Sequence, residues 1–304
     1  MRLRLRERVV ELGARGGRVM IMGIVNATPD SFSDAGELPD LEARVARGAA
    51  PLEAGADVLD VGGESARGDR PPVPAEVEIE RVSGVIERLA ALGATVSVDT
   101  HKPAVARAAL AAGAVLVNDV SGLRDPALAD LCAETGAGLV VMHTRVAPKE
   151  TLLDPRAYDD VVADVVGFLR ERMRLAVARG VEEEQLVLDP GPDFAKTPAQ
   201  TVAVLRRLDA IHALGRPVLL AASRKDFVGA ITGRPPRERL AGTLAAIGEG
   251  VDAGAQLLRV HDVGAVRDFL AVREVLRGER ELAPAEGLTP DRYPDGPPPG
   301  LALG

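Results

Sequence analysis

The sequence contains no tryptophan, two tyrosines and five phenylalanines, so aromatics supply only 2% of its residues. Platforms that stack nucleic-acid bases need several aromatic side chains, and this scarcity argues against one. A formal net charge of −8 points the same way, because broad nucleic-acid surfaces are basic. One cysteine, Cys132, excludes an intramolecular disulfide framework and a cysteine-rich zinc site. Four scattered histidines give no transition-metal cluster either. No apolar run approaches the ~18 residues of a membrane span. Residues 1–18 alternate Arg and Leu without the apolar stretch of a secretion signal. Neither a nucleic acid nor a membrane is expected as a partner, and the cytoplasm is the expected compartment. What the chain has in quantity is Val, Leu, Ile and Ala, and the core must be built from them.

Those residues recur in two patterns. Short, nearly continuous apolar runs at 19–25, 57–61, 94–98, 114–117, 138–142, 185–188, 217–221 and 256–260 read as parallel strands covered on both faces. Amphipathic stretches at 41–54, 74–91, 103–112, 126–135, 159–179, 198–213, 236–253 and 265–276 read as helices. Several begin near a proline and end at a glycine, which favours those termini. Eight βα units in roughly 250 residues predict an α/β fold, a single-domain (β/α)8 TIM barrel over residues 19–276. An open doubly wound sheet is the rival, but no G-x-G-x-x-G follows the first strand. Residues 1–18 are expected to cap the barrel or pair as a hairpin. Residues 283–304, rich in Pro and Gly, are expected to form a flexible tail.

In such a barrel the chemistry gathers at the C-terminal strand ends. There the sequence places Asn26, Asp99, Asn118, His143, Asp189, Ser223 with Lys225, and Arg259 with His261. Helix capping and turns account for Asp119, Ser121 and Asp262. They do not account for Lys225 or Arg259, nor for Asp99, Asn118 and Asp189 ending three different strands. Asp99, Asn118 and Asp189 suit a neutral heterocycle presenting N–H and NH₂ donors along one edge. Arg67, Lys225, Arg259 and His261, with Asn26 nearby, suit a phosphate or diphosphate. Internal ion pairs of Asp99 or Asp189 with Lys225 are the structural alternative. His143 fits packing as well as function. His101 and His212 read as surface positions on helical segments away from the mouth, and Cys132 as a plain buried thiol.

The segments MGIVNATPDSFSDAG, DVGGESAR, SVDTHKP, GAVLVNDVSGL, VVMHT, LDPGPDFAKT, SRKDFVG, ERLAGTLA and LLRVHDV together resemble the dihydropteroate synthases, in order and spacing, over about residues 19–276. That resemblance implies a transferase of folate biosynthesis. It joins 6-hydroxymethyl-7,8-dihydropterin diphosphate to 4-aminobenzoate, releases diphosphate, requires Mg²⁺, is inhibited by sulfonamides and works as a homodimer. Carried over by motif, Asp99, Asn118, Met142, Asp189, Phe194 and Lys225 would bind the pterin. Asn26, Arg67, Arg259 and His261 would hold the diphosphate, with Asn26 on the metal. Phe32, Ser65, Ala66, Arg67, Ser223 and Lys225 would face the aminobenzoate. Lys225, Asp99 and Arg67 would be the catalytic set.

The chain departs from the family pattern at three places. Ala66, Gly68 and Asp69 replace a Thr, a Pro and a Gly of the second loop, Asp193 replaces a Gly, and Asp226 follows Ser-Arg-Lys. These changes keep open a paralogue with weak or no synthase activity that binds a pterin. A pterin-dependent methyltransferase is a further alternative, disfavoured because methyl transfer has no diphosphate for Arg67, Arg259 and His261 to hold.

Overall fold

The structure is a computed structural model that describes residues 1–13, 18–28, 40–65 and 70–283. It opens with an antiparallel hairpin of β1 (Arg2–Leu5) and β2 (Arg8–Glu11). Strands and helices then alternate: β3 (Met20–Asn26), α1 (Leu41–Glu53), β4 (Val58–Gly62), α2 (Ala75–Ala91), β5 (Val96–Asp99), α3 (Pro103–Ala111), β6 (Leu116–Asp119) and α4 (Ala127–Thr135). They continue with β7 (Gly138–Met142), α5 (Val161–Ala178), β8 (Leu186–Asp189), α6 (Pro198–Leu205), α7 (Leu208–His212) and β9 (Leu219–Leu220). The order ends with α8 (Asp226–Thr232), α9 (Leu240–Asp252), β10 (Leu257–Val260) and α10 (Val263–Leu276). Chain contacts divide the molecule into two units, Met1–Arg267 and Asp268–Gly304. The barrel strands and the site described below belong to the first.

Eight strands form one parallel sheet in the order β8-β7-β6-β5-β4-β3-β10-β9. A parallel bridge between Leu188 and Val218, with the Leu188 N–H donating to Pro217 O at 2.9 Å, joins the two edges. The sheet is therefore the closed (β/α)8 barrel that the count of units predicts. Among the described residues no helix is long and apolar enough to cross a membrane.

Three parts differ from the periodic reading. The stretch 198–213 is two helices, because at Arg207 (φ −122°, ψ 32°) the backbone leaves helical geometry. The seven-residue α8 is too short to show a period, and Gly229 lies inside it. The seventh strand also shrinks to Leu219–Leu220. Pro217 has no N–H to give to a ladder, and the Val218 N–H goes to the Gln256 side chain at 2.9 Å.

Side chains on a strand alternate between its two faces, so one parity points into the barrel. The lower inward layer is apolar: Met20, Met22, Val58, Leu116, Val140, Val187, Leu219 and Leu257 share one cluster. Two residues further along four of these strands the same parity becomes polar at Asp60, Asn118, Asp189 and Arg259, and likewise at Asp99 on β5. The opposite parity at Asp119 does not enter the barrel mouth. Its carboxylate accepts the Ser121 and Leu123 N–H groups at 2.8 and 2.5 Å and shapes the following turn.

Leu3, Leu5, Val10 and Leu12 of the hairpin and its exit join the apolar layer, so the hairpin closes the barrel's N-terminal end. Leu5 is 2% exposed. Leu5→Ala is expected to lower unfolding stability by about 3 kcal/mol, the usual cost of a buried Leu cavity, with substrate KM unchanged. Denaturant melts and steady-state kinetics check this, and a shifted KM would contradict the separation of closed bottom and reactive top.

Candidate active site

The inward parity brings the acidic residues together. Arg259 Nε donates to Asp60 Oδ2 at 2.6 Å and its Nη2 to Asp99 Oδ2 at 2.6 Å. Asn118 Nδ2 donates to the same Asp60 oxygen at 2.9 Å. Asp60 is fully buried, and Asp60 Oδ1 and Asn118 Oδ1 have no hydrogen-bond partner among the described residues. A buried acceptor without a donor costs free energy, so this floor is built for incoming N–H groups. Burial raises the Asp99 carboxyl above the usual range; Arg259 opposes this and the neighbouring Asp60 charge reinforces it.

The opposite wall comes from the turns after β8 and β9. Asp189 Oδ1 accepts the Gly191 N–H at 2.7 Å. Burial raises its pKa, against the pull of that N–H and of Lys225, Lys196 and Arg259. Lys225 Nζ lies 4.2 Å from the centre of the Phe194 ring, a cation–π distance. Burial lowers the Lys225 pKa, while Asp193 and Asp189 oppose it. Met142 is paired with Asp189 in the register of β7 and β8. Ser223 Oγ lies 3.0 Å from His261 Nδ1 and accepts the His261 backbone N–H at 3.2 Å. Asn26 ends β3 with an exposed side chain.

An open cleft lies at this rim, lined by Glu64, Ser65, Asp99, His101, Thr144 and Phe194 among others. His101 is therefore a correction: it precedes α3 and faces the cleft rather than a remote helical surface. The guanidinium of Arg259 is engaged by Asp60 and Asp99, so in this structure it lies against the acidic flank. The internal ion pair is thus made by Arg259, and Lys225 faces an aromatic ring. Phe32, Ala66 and Arg67 lie outside the described residues, as do Gly68 and Asp69.

Two of the departures have local partners. Asp193 Oδ2 accepts the N–H groups of Asp226 and Phe227 at 2.5 and 3.3 Å, and Asp193 Oδ1 accepts Thr201 Oγ1–H at 3.1 Å. Asp226 accepts from Arg239 Nη1 at 2.9 Å. Both carboxylates are engaged in holding the start of α8.

Three groups here were not legible as site residues. Asp60 sits in mid-strand. Lys102 Nζ is held by Glu64 Oε2 at 2.7 Å, Glu78 Oε2 at 2.6 Å and Val73 O at 2.6 Å, while the Val73 N–H donates to Glu64 Oε1 at 3.0 Å. Lys196, 1% exposed, donates to His143 Nδ1 at 2.7 Å. A lone charge inside an apolar strand (VLDVG) is the signal that finds Asp60; the others carry no periodic signal. Cys132 is fully buried, and burial pushes its thiol up to about 12.

His143 resolves toward structure. Burial and the neighbouring Lys196 push its pKa down to about 4, although Asp164 pulls upward. The neutral ring accepts from Lys196 at Nδ1 and donates from Nε2 to Asp164 Oδ1 at 2.9 Å. Because the folded pKa lies below the ordinary 6.5, the unfolded chain binds more protons between these values. Stability is therefore lost as pH falls from about 6.5 to about 4. His143→Gln, which keeps an acceptor and a donor without titrating, is expected to flatten this slope. Parallel melting curves of the two proteins across that range would contradict it.

Among the described residues no group of three His, Cys, Asp or Glu side chains gathers to hold a metal. A single exposed amide, Asn26, fits a magnesium ion that arrives on a diphosphate and keeps most of its waters.

Comparison with known proteins agrees with this geometry. Residues 22–261 match the family model described as pterin binding enzyme. A Bacillus subtilis dihydropteroate synthase is 41% identical over 248 residues, covering 81% of this chain and 84% of that protein. A probable bifunctional folylpolyglutamate synthase/dihydropteroate synthase of Haloferax volcanii is 44% identical over 268 residues. That match covers 86% of this chain and 31% of the larger protein, so this chain spans less than a third of it. Xanthomonas albilineans dihydropteroate synthase, solved in complex with 7,8-dihydropteroate, superposes with a TM-score of 0.80 at 44% identity, covering 91% of this chain and 99% of that one.

Proposed function

The chain belongs to the pterin-binding enzyme family, and from that premise we propose how its own residues carry out dihydropteroate synthesis. It is a transferase that condenses a hydroxymethyl-dihydropterin diphosphate with 4-aminobenzoate and releases diphosphate. The observation that carries the reading is the pair of unpartnered buried acceptors, Asp60 Oδ1 and Asn118 Oδ1, beside Asp99. Pterin N–H and NH₂ groups satisfy them, with Asp189 continuing the acceptor row. Phe194 and Met142 supply apolar walls, and Lys225 closes the ring's far side.

The carbon–oxygen bond to the diphosphate breaks, and its electron pair leaves with the diphosphate. The carbon left behind is a cation delocalised into the pterin. The negative field of Asp60, Asp99 and Asp189 favours that cation over the neutral reactant. Arg67, Arg259 and His261, with Asn26, receive the growing charge of the leaving group. When bound, Mg²⁺, held by Asn26 and the diphosphate, adds charge neutralisation there. The aniline nitrogen of 4-aminobenzoate, positioned by Phe32, Ser65, Ala66, Arg67, Ser223 and Lys225, attacks the cation and then loses one proton. A weak nucleophile succeeds because the electrophile already exists beside it. The local partners of Asp193 and Asp226 support retained activity, since neither carboxylate is left unpaired in the pocket.

The test is direct: purified protein with the pterin diphosphate, Mg²⁺ and 4-aminobenzoate, followed by mass. A product of dihydropteroate mass, with diphosphate in equal amount, is expected. Pterin-diphosphate binding without diphosphate release would instead identify a binding protein. The same reading assigns the enzyme to the cytoplasm, in accord with one buried, unpaired cysteine. It also assigns two copies per assembly, which a molar-mass measurement by light scattering checks.

A further inference from the structure

Residues 189–195, which carry Asp189 and Phe194, follow an unusual backbone path. Gly191, Asp193 and Ala195 have φ of 63°, 65° and 51°. Ala195 and Asp193 are not glycine, and such residues persist at positive φ only where surroundings over-determine them. A Cβ at Gly191 would lie 2.2 Å from His143 O, so the segment also presses against the end of β7.

What over-determines the path is Lys196. Its Nζ donates to Gly191 O at 3.0 Å and Phe194 O at 3.0 Å, turning two carbonyls of the segment inward on one point. Its remaining donor goes to His143 Nδ1, and His143 is fixed in turn by Asp164. Tyr158 Oη donates to Ala195 O at 2.7 Å from another direction. A lysine only 1% exposed is rare unless it is satisfied in this way. The Phe194 ring, which Lys225 faces, is the side chain of the segment thus held.

We propose that Lys196 is a positioning residue for the pterin site. Fixed to His143, it holds the 191–195 backbone so that Phe194 and Asp189 keep their places against the heterocycle, and Tyr158 is a second fastener of the same segment. Neither touches substrate. This inference rests on the reading of the site as a pterin pocket.

The experiment compares wild type with Lys196→Met, which keeps chain length without the donors, and with Tyr158→Phe, which removes one hydroxyl. Lys196→Met is expected to raise KM for the pterin diphosphate about tenfold, with kcat and the KM for 4-aminobenzoate each within about threefold. Tyr158→Phe is expected to raise the same KM about threefold. A merely structural role would lower melting temperature and active fraction but leave that KM in place, so a folded Lys196→Met with unchanged pterin KM overturns the proposal. If Lys196→Met does not fold, Tyr158→Phe decides: a raised KM supports the proposal and an unchanged one overturns it. Wild-type protein that binds no pterin diphosphate by calorimetry overturns the pterin reading, and this inference with it.

Discussion

Lys225→Ala is expected to lower kcat/KM by about a thousandfold, the scale of removing a preorganised electrostatic group from a buried site. The side chain stands where burial lowers its pKa and where it faces Phe194 at 4.2 Å. In the proposed site, loss of the ammonium removes a charge facing the pterin and the cation over the Phe194 ring. Removing it also relieves a desolvated charge, so the melting temperature should hold or rise. Lys225→Arg is not expected to rescue, because the larger, delocalised guanidinium does not fit the buried space of a compact point-charge ammonium. Steady-state kinetics with both substrates saturating in turn check the result. A loss below about threefold would remove Lys225 from the catalytic set.

Asp99→Asn is expected to lower kcat by about a hundredfold while raising stability at alkaline pH. Asp99 and Asp60 share one guanidinium, and burial raises the Asp99 pKa to about 7 from 3.8. The folded state therefore favours the protonated form. The stability linked to that proton is fully present below pH 3.8 and is lost as pH rises through about 7. Asn removes the loss, so the variant melts higher than wild type at pH 8 and the gap narrows at pH 5. Activity moves the other way, because the charge that is costly in the free protein is the one that stabilises the pterin cation. A variant that is slower and also less stable at pH 8 would contradict this link.

The Asp99 effect follows from the parity of the strands, and that parity explains much of what the sequence can and cannot reveal. The barrel is legible because eight apolar runs alternate with amphipathic stretches, and helix ends carry glycine. Asp99, Asn118, Asp189 and Arg259 are legible because each ends or nearly ends such a run. Asp60 escapes because it is polar within the run, where only knowledge of the inward face separates it from a defect. Lys196 escapes because its worth lies in carbonyls that the chain turns toward it, and backbone direction in a loop has no period. His101 escapes because a residue just before a helix reads as part of that helix. The split of 198–213 is decided by one backbone angle pair at Arg207, which no composition signal marks. The departures Asp193 and Asp226 look like unwelcome charge in the sequence, but their hydrogen-bond partners lie elsewhere in the chain.

The most direct measurement is a crystal structure of this protein with the pterin diphosphate bound. The ring's N–H edge is expected on Asp60, Asn118, Asp99 and Asp189, its face against Phe194, and the diphosphate at Asn26, Arg259 and His261. A ring bound away from Asp60 and Asn118, with their buried oxygens still without donors, would contradict this expectation.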